Sequence, residues 1–363
     1  MICSIFRGCH NPEGENLIGK SKWKWMAVVA VVAAMALLAW WGLRDRGFDW
    51  AVFWATLRGL DPLWLGIAAL LALSTYFGRA LRWAVLIRPV KPHPSIWRLT
   101  TATAIGFTAI TLLGRPGEFV RPYLIAVKER VPVSSQLAAL LLERIYDLLM
   151  ALILFGFALS RVRQSEIHAG PGLSWVLAVG GWAAAAIGVV CLAMLVLIRH
   201  FAEPMRRRLL DGLGFLSAPR FARAERLVNA FVQGVESTRS SRAILLLTLY
   251  SVLEWVLIAG SITAVVRAYG QVLPFGLVDV LIFMGFLSFG AVIQIPGIGG
   301  GVQVVSVLVL TELFAVPLEV ATGAAMVLWV ITFVVIVPPG LLLALHEGVN
   351  WSKIKQMERE VGQ

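Results

Sequence analysis

Apolar residues run along this chain in blocks about as long as a bilayer is thick, separated by short polar stretches. They do not show the sparse 3.6- or two-residue spacing of half-buried elements. A bilayer core of about 30 Å asks for roughly 20 such residues per crossing helix. Hydropathy predicts full spans at residues 25–43, 62–87, 133–160, 173–198, 243–266 and 320–345. Two further apolar regions, 99–127 and 277–316, are interrupted by helix breakers. These are Gly114-Arg115-Pro116-Gly117 and Pro296-Gly297-Ile298-Gly299-Gly300-Gly301. Residues 99–113 would reach only about 22 Å as a helix, short of the core thickness. Both regions are therefore read as re-entrant hairpins, each entering and leaving on one side.

The order of these segments carries a symmetry. A span, a hairpin and a returning span occur once over residues 62–160 and again over 243–345, in opposite directions. The expected fold is an all-α polytopic membrane protein with about six full spans plus two re-entrant helical hairpins arranged as an inverted repeat. In transporters, paired broken segments of this kind point to a binding site at the repeat interface near the midplane.

Charge orients the layout. Segments 1–24, 79–98, 128–132, 199–242 and 346–363 hold most of the Lys and Arg, including Arg206, Arg207, Arg208, Arg220, Arg223 and Arg226. The positive-inside rule then puts both termini and the 199–242 loop in the cytoplasm. The expected organisation is an N-terminal tail (1–24), a transmembrane domain (25–345) and a C-terminal tail (346–363), in the inner (cytoplasmic) membrane. Within the loop, Phe221, Leu227, Val228, Phe231, Val232 and Val235 oppose Arg220, Arg223 and Arg226. That pattern suits a helix lying on anionic lipid, and a plain connector fits it too.

Composition agrees. The 363 residues are 59% hydrophobic and 15% charged, with mean hydropathy +0.81, which excludes an ordinary soluble domain. A net charge of +11 would suggest nucleic acid in a soluble chain. Here it is read as cytoplasmic loops facing anionic inner-leaflet lipids, and no nucleic-acid partner is expected. Three cysteines, Cys3, Cys9 and Cys191, make neither a disulfide framework nor a zinc motif. No metal or cofactor is expected.

The candidate chemistry lies where hydrocarbon should be. Gly117, Glu118 and Arg121 follow Arg115 at the first break, and Glu143, Arg144 and Asp147 sit inside the third span. Ionisable groups at membrane depth are costly and mark a substrate or ion path by default. Glu143 and Asp147 are at i and i+4 and share a helix face, while Arg144 reaches Asp147 at i+3. After each break a half-helix N-terminus would present free N–H groups to an anion. Arg115 and Arg121 add guanidinium groups suited to phosphate. The substrate-binding candidates are Arg115, Gly117, Glu118, Arg121, Glu143, Arg144 and Asp147, with Arg79 and Arg82. From the second break come Pro296, Gly299, Gly300, Gly301 and Gln303. Two blander readings stay open: the charges neutralise one another and fix the hairpin, and Arg79 and Arg82 snorkel to the interface.

Together these motifs resemble the transmembrane region of lysylphosphatidylglycerol synthases and its stand-alone relatives, the flippase-like family. The resemblance rests on Arg79, Arg82 and Trp83, on Gly114 to Glu118 with Arg121, on Glu143-Arg144 with Asp147, and on the break from Pro296 to Gly301. It covers roughly residues 60 to 345. Where the family often carries Glu shortly after the glycine break, this chain has Gln303. The resemblance implies the translocation half of such proteins without the aminoacyltransferase domain. The leading expectation is a flippase or scramblase for a lipid with a phosphate-bearing headgroup. A membrane-embedded lipid-modifying enzyme, with Glu118, Glu143 and Asp147 as acid–base groups, and a non-transporting assembly partner are the other two classes.

Overall fold

The computed structural model describes residues 47–164, 171–213, 215, 217–235, 240–290, 294–295 and 299–348. The expected span 25–43, both tails beyond these limits and Pro296 lie outside the described residues. The chain divides into two compact units, Met1–Ala51 and Val52–Gln363. All the described helical residues except Trp50 and Ala51 belong to the second unit.

After α1 (Trp50–Arg58) comes α2 (Pro62–Ile87), and then a hairpin of α3 (Ile96–Leu113), a 3-10 turn (Arg115–Phe119) and α4 (Val120–Glu129). Next are α5 (Val133–Gln164), α6 (Pro171–Gly212), α7 (Ala218–Val235) and α8 (Ser241–Ala268). A second hairpin joins α9 (Leu277–Gly290) to α10 (Gly301–Glu312). Its break carries an antiparallel two-residue ladder, Gln294–Ile295 on Gly299–Gly300. The last described elements are α11 (Leu318–Trp329), a π turn (Val330–Val334) and α12 (Val337–His346). By length and composition, Pro62–Ile87, Ile96–Leu113, Val179–Leu197, Ser241–Ala268 and Leu318–His346 are each able to cross a membrane. This is an all-α polytopic membrane protein.

Local chemistry explains the helix ends. Asp61 caps α2 by accepting from Leu63 N at 2.8 Å, with Pro62 in the first turn. Ser95 and Ser240 cap α3 and α8 in the same way. The two breaks need glycine: Gly114 has φ +73° and Gly300 has φ +105°, values a side chain disfavours. α3 begins three residues earlier than the apolar run suggests, and its 18 residues reach about 27 Å. Ser95 supplies the cap that sets this earlier start. The ten residues of α4 cover only about 15 Å, so the two arms are unequal.

Antiparallel packing is read from contacts. In the first hairpin, Gly106 meets Arg121, Gly117 meets the Ala109 carbonyl and Thr101 meets Lys128, so residue numbers fall on one arm as they rise on the other. The most extensive contact in the fold is α2 on α8. Along it, Asp61 N bonds Ala268 O at 3.1 Å, Ser261 Oγ bonds Ala68 O at 2.9 Å, and Arg82 reaches Ser251 at 3.3 Å. The first hairpin also packs on α12 through α3, and the second on α5 through α9. Each of those contacts is made at a glycine. A Cβ on Gly340 would stand 2.5 Å from the Ala104 carbonyl, and one on Gly285 would stand 2.8 Å from the Leu154 carbonyl. Close approach of this kind is how helices associate where lipid competes for apolar surface.

Buried apolar residues form two clusters rather than one. The first joins Ala68 and Ala72 of α2, Phe155 and Ala158 of α5, and Ile262 to Val266 of α8 with the second hairpin. The other joins Ala80 to Ile87 of α2, Leu99 to Ala109 of α3, Ala138 to Leu142 of α5 and Leu247 of α8. On α2, α5 and α8 alike, charged or hydroxyl side chains lie between the two clusters: Arg79, then Glu143 and Asp147, then Ser251 and Glu254. Lower in the second cluster, α7 buries Val232 and Val235 against α5, leaving Leu227 exposed. The π turn places Val335 N on Val330 O at 2.9 Å, and the following carbonyls of Ile336 and Val337 accept from Tyr76 and Thr108. α12 is thereby tied to α2 and α3.

The glycine contacts make a paired prediction. Gly340→Ala should destabilise the protein by about 1–3 kcal/mol, because backbone must move. Gly66→Ala, on α2 with nothing within 4 Å of a new Cβ, should be neutral or stabilising by about 0.5–1 kcal/mol. Melting of the purified protein in detergent reads both, and equal shifts would contradict the close contact at Gly340.

Candidate functional site

The polar layer between the two apolar clusters is a network of guanidinium and carboxylate groups. α2 supplies Arg79 and Arg82, one turn apart. α5 supplies Glu143, Arg144 and Asp147; α4 supplies Arg121; α8 supplies Glu254 from the middle of its 28 residues. Arg82 is completely buried. Its Nη2 donates to Glu143 Oε1 at 2.6 Å and lies 3.2 Å from Glu254 Oε2. Its Nη1 donates to Asp147 Oδ1 at 2.6 Å and to Ser251 Oγ at 3.3 Å. Arg79 Nη2 pairs with Glu254 Oε1 at 2.5 Å. Arg121 clamps Glu143 with both terminal nitrogens, one of them on Oε1 at 3.2 Å.

Aromatic rings line this network. The Arg121 guanidinium lies 4.3 Å from the Trp83 ring centre and 5.5 Å from that of Phe107, and Arg79 lies 4.5 Å from Phe107. Desolvated cation–π contacts of this kind contribute up to about 2 kcal/mol. Trp83 is fixed in turn by donating Nε1–H to Gln136 at 2.8 Å. Gly106 leaves room for Arg121, since a Cβ there would sit 2.5 Å from the Arg121 Cβ.

Inside the layer four arginines, 79, 82, 121 and 144, meet three carboxylates, 143, 147 and 254. Glu118 at the rim is the fourth carboxylate: its Oε2 lies 3.6 Å from Arg144 Nε and its Oε1 3.0 Å from the exposed Arg115, so the layer's own charges balance once the rim is counted. Buried donors are left over: Arg79 Nη1, Arg82 Nε, Arg121 Nε and Arg144 Nε have no hydrogen-bond acceptor, against one carboxylate oxygen of the layer, Glu254 Oε2, without a donor. Asp147 Oδ2 lies 3.9 Å from Arg79 Nη1 and 3.7 Å from Arg144 Nη1, beyond hydrogen-bond length from either. The layer holds more donor capacity than its carboxylates use, a state that suits an anion.

The structure separates the residues that the sequence grouped. Arg121, Glu143, Arg144, Asp147, Arg79 and Arg82 come together, joined at the rim by Glu118, whose Oε2 is 3.6 Å from Arg144 Nε. Arg115 points away from the layer: its side chain is 54% exposed and bonds Glu118. Gly117 packs on the Ala109 carbonyl and closes the hairpin tip. Gly299 and Gly300 belong to the ladder and Gly301 starts α10. Gln303 accepts from Gly300 N at 2.7 Å and so caps its own helix. Among the described residues, no ion pair of the layer involves the second hairpin. The snorkelling reading of Arg79 and Arg82 is overturned, because α2 runs on to Ile87 and its last turns are covered by α3 and α5. Sequence reasoning missed Glu254 as the partner of both. A lone carboxylate between Leu253 and Trp255 in an apolar span was the available signal. Among the described residues, no three His, Cys, Asp or Glu side chains are placed to hold a metal.

A family model, the lysylphosphatidylglycerol synthase TM region, matches residues 25–340. The chain belongs to that family. No curated protein and no solved structure matches it. As a member of the lysylphosphatidylglycerol synthase TM region family with several apolar helices, it is a multi-pass membrane protein related to lipid handling. The matched range takes in both hairpins and every residue of the polar layer.

Removing one partner of a buried pair leaves an uncompensated charge. Glu254→Gln should therefore cost about 3–5 kcal/mol of stability. Glu118→Gln, at the rim, should cost less than about 1 kcal/mol. Unfolding of the purified protein in mixed micelles with rising denaturant compares the two. Equal losses would show that the layer does not hold the helices together.

Proposed function

We propose that the protein moves a lipid with a phosphate-bearing headgroup across the membrane, as a flippase or scramblase rather than an enzyme. The polar layer serves as the headgroup's station at mid-depth. The observation that carries this reading is the set of buried guanidinium nitrogens in that layer that lack acceptors. A buried donor without an acceptor is costly, and a transiting anionic headgroup supplies acceptors.

The inverted repeat expected from the order of the segments, which the pairing of helices fits, supports the same reading. Exchanging the halves maps α2 on α8, the first hairpin on the second, and α5 on α11–α12. Under that exchange, packing of α3 on α12 becomes packing of α9 on α5, and the antiparallel α2–α8 pair maps on itself. Residues of the layer come from both halves, as expected of a site at a repeat interface. In this reading the hairpins are re-entrant, and both termini and the arginine-rich segment around α7 face the cytoplasm. Arg207, Arg208, Arg220 and Arg223 are then free to meet anionic inner-leaflet lipid.

The purified full chain, reconstituted into liposomes, tests the proposal with fluorescent phosphatidylglycerol and a labelled polyprenyl phosphate. Loss of the outer-leaflet signal to a membrane-impermeant quencher should run well beyond the one-leaflet fraction, and faster than in empty liposomes. No acceleration with either lipid sinks the reading. Appearance of a headgroup-altered product by mass spectrometry would move it to the enzyme class.

A further inference from the structure

The helical path from α11 to α12 is broken midway, and its counterpart in the first half is not. Arg130 closes the first hairpin and Ala315 the second, both with positive φ (+56° and +51°), and each is followed by Val-Pro. Aligned on that motif, the start of α5 at Val133 meets the start of α11 at Leu318. Glu143 then stands opposite Leu328, and Asp147 opposite Thr332. Where α5 carries its charges, the second half carries the π turn, Val330–Val334. Pro338 and Pro339 follow it, and neither can donate to the carbonyls four residues back, those of Val334 and Val335. α5 itself runs unbroken over Val133–Gln164.

This asymmetry matters because each hairpin leans on the opposite half. The second packs through α9 on the unbroken α5, and the first packs through α3 on α12, beyond the joint. The first hairpin and α12 are also held as one piece. Gly340 meets the Ala104 carbonyl with no room for a side chain. Lys128 Nζ, at the end of α4, bonds Thr101 Oγ1 of α3 at 2.7 Å and pairs with Glu347, just past α12, at 2.6 Å. The buried Glu129 pairs with Lys91 Nζ at 2.7 Å and accepts from Ser95 N at 3.4 Å, so the linker before α3 is tied to the same end.

Fewer polar bonds join this piece to α2 and α5. The Tyr76 hydroxyl of α2 donates to Ile336 O, inside the joint, at 3.2 Å. Arg121 clamps Glu143, and Glu118 reaches Arg144. Phe107 of α3 meets the Tyr76 ring at 5.9 Å between centres and receives the Arg79 guanidinium. The remaining contact is apolar, a weak restraint in a membrane because lipid tails replace it.

We propose that the first hairpin and α12 swing as one body about the joint at residues 330–339, and that the Tyr76 hydroxyl is the catch that holds the closed position. π bulges and prolines are where helices bend, and a few residues at the end of an element suffice for a hinge. The swing parts Arg121 from Glu143 and Glu118 from Arg144, so it opens the polar layer on the hairpin's side. The second hairpin, seated on an unbroken helix, stays in place. The motion needs no lipid; only its use in moving one rests on the translocation reading.

Double electron–electron resonance on the purified full chain measures the motion apart from transport. With Cys3, Cys9 and Cys191 replaced by alanine, spin labels are placed at three exposed positions: Val127 of α4, Leu345 of α12 and Leu70 of α2. The Val127–Leu345 distance should be single and narrow, since both sites ride on the swinging body. The Val127–Leu70 distance should show two populations. Tyr76→Phe removes only the catch and should shift their ratio roughly two- to tenfold away from the closed distance, the effect of one neutral hydrogen bond. Replacing Pro338 and Pro339 together by alanine lets the ladder run on and should leave one population. A single Val127–Leu70 distance in both the wild type and Tyr76→Phe overturns the inference. So does a Val127–Leu345 distance that broadens in step with it, or two populations that persist in the folded double proline variant. Where that variant does not fold, Tyr76→Phe decides. Two populations in a chain that moves no lipid in liposomes uphold the swing and sink translocation. Lipid movement at one fixed Val127–Leu70 distance does the reverse.

Discussion

Arg82 is the group on which the rest of the structure depends. Its guanidinium is completely buried, and it is held by Glu143 and Asp147 of α5 and by Glu254 and Ser251 of α8. Isolated in an apolar layer, a charge of this kind would cost many kcal/mol; pairing reduces that cost without making the pair a strong net stabiliser. What it supplies is uniqueness. Three helices that could slide along one another in many registers are brought to the one in which both terminal nitrogens of Arg82 meet their carboxylates.

That register explains why there are two apolar clusters and not one. α2, α5 and α8 each pass from one cluster to the other through the polar layer, so the layer divides the packing into two bodies of side chains. Within each, the helices approach closely through small residues. Gly340, packed on α3, and Gly285, packed on α5, do for the hairpins what ion pairing does for the long helices. Apolar surface alone would not choose these partners, since lipid tails are as apolar as leucine.

How much of this was legible depends on what sequence patterns encode. Span lengths and the hairpin breaks were legible because they are local: apolar length, and glycine or proline where a helix must stop. Glu143, Arg144 and Asp147 were legible because charge inside an apolar run is conspicuous. The pairing of Arg79 and Arg82 with Glu254 was not, since it joins positions about 170 residues apart whose approach depends on which helix faces pack. For the same reason hydropathy placed Arg79 and Arg82 near a span end and suggested the interface, without showing that α3 and α5 cover them. Arg115 and Arg121 looked equivalent beside one break. The turn of the 3-10 segment sends one outward to Glu118 and the other inward to Glu143. Gln303 caps its own helix, a local role that the glycine break alone did not reveal.

The division of labour within the layer bears on how it moves. Glu254 is its one charged member from the second half of the chain, and it is shared by Arg79 and Arg82. Any sliding of α8 along α2 parts it from both, leaving a buried carboxylate and two under-satisfied guanidinium groups. An anion resting on Arg79 would offset part of that loss by giving one of the two guanidinium groups another acceptor, and it would repel Glu254 at the same time. Occupancy of the layer and displacement of α8 therefore favour each other. Each can shift the other only by that differential interaction, so under the proposed translocation the α2–α8 register is a coordinate through which a headgroup would act on the rest of the fold.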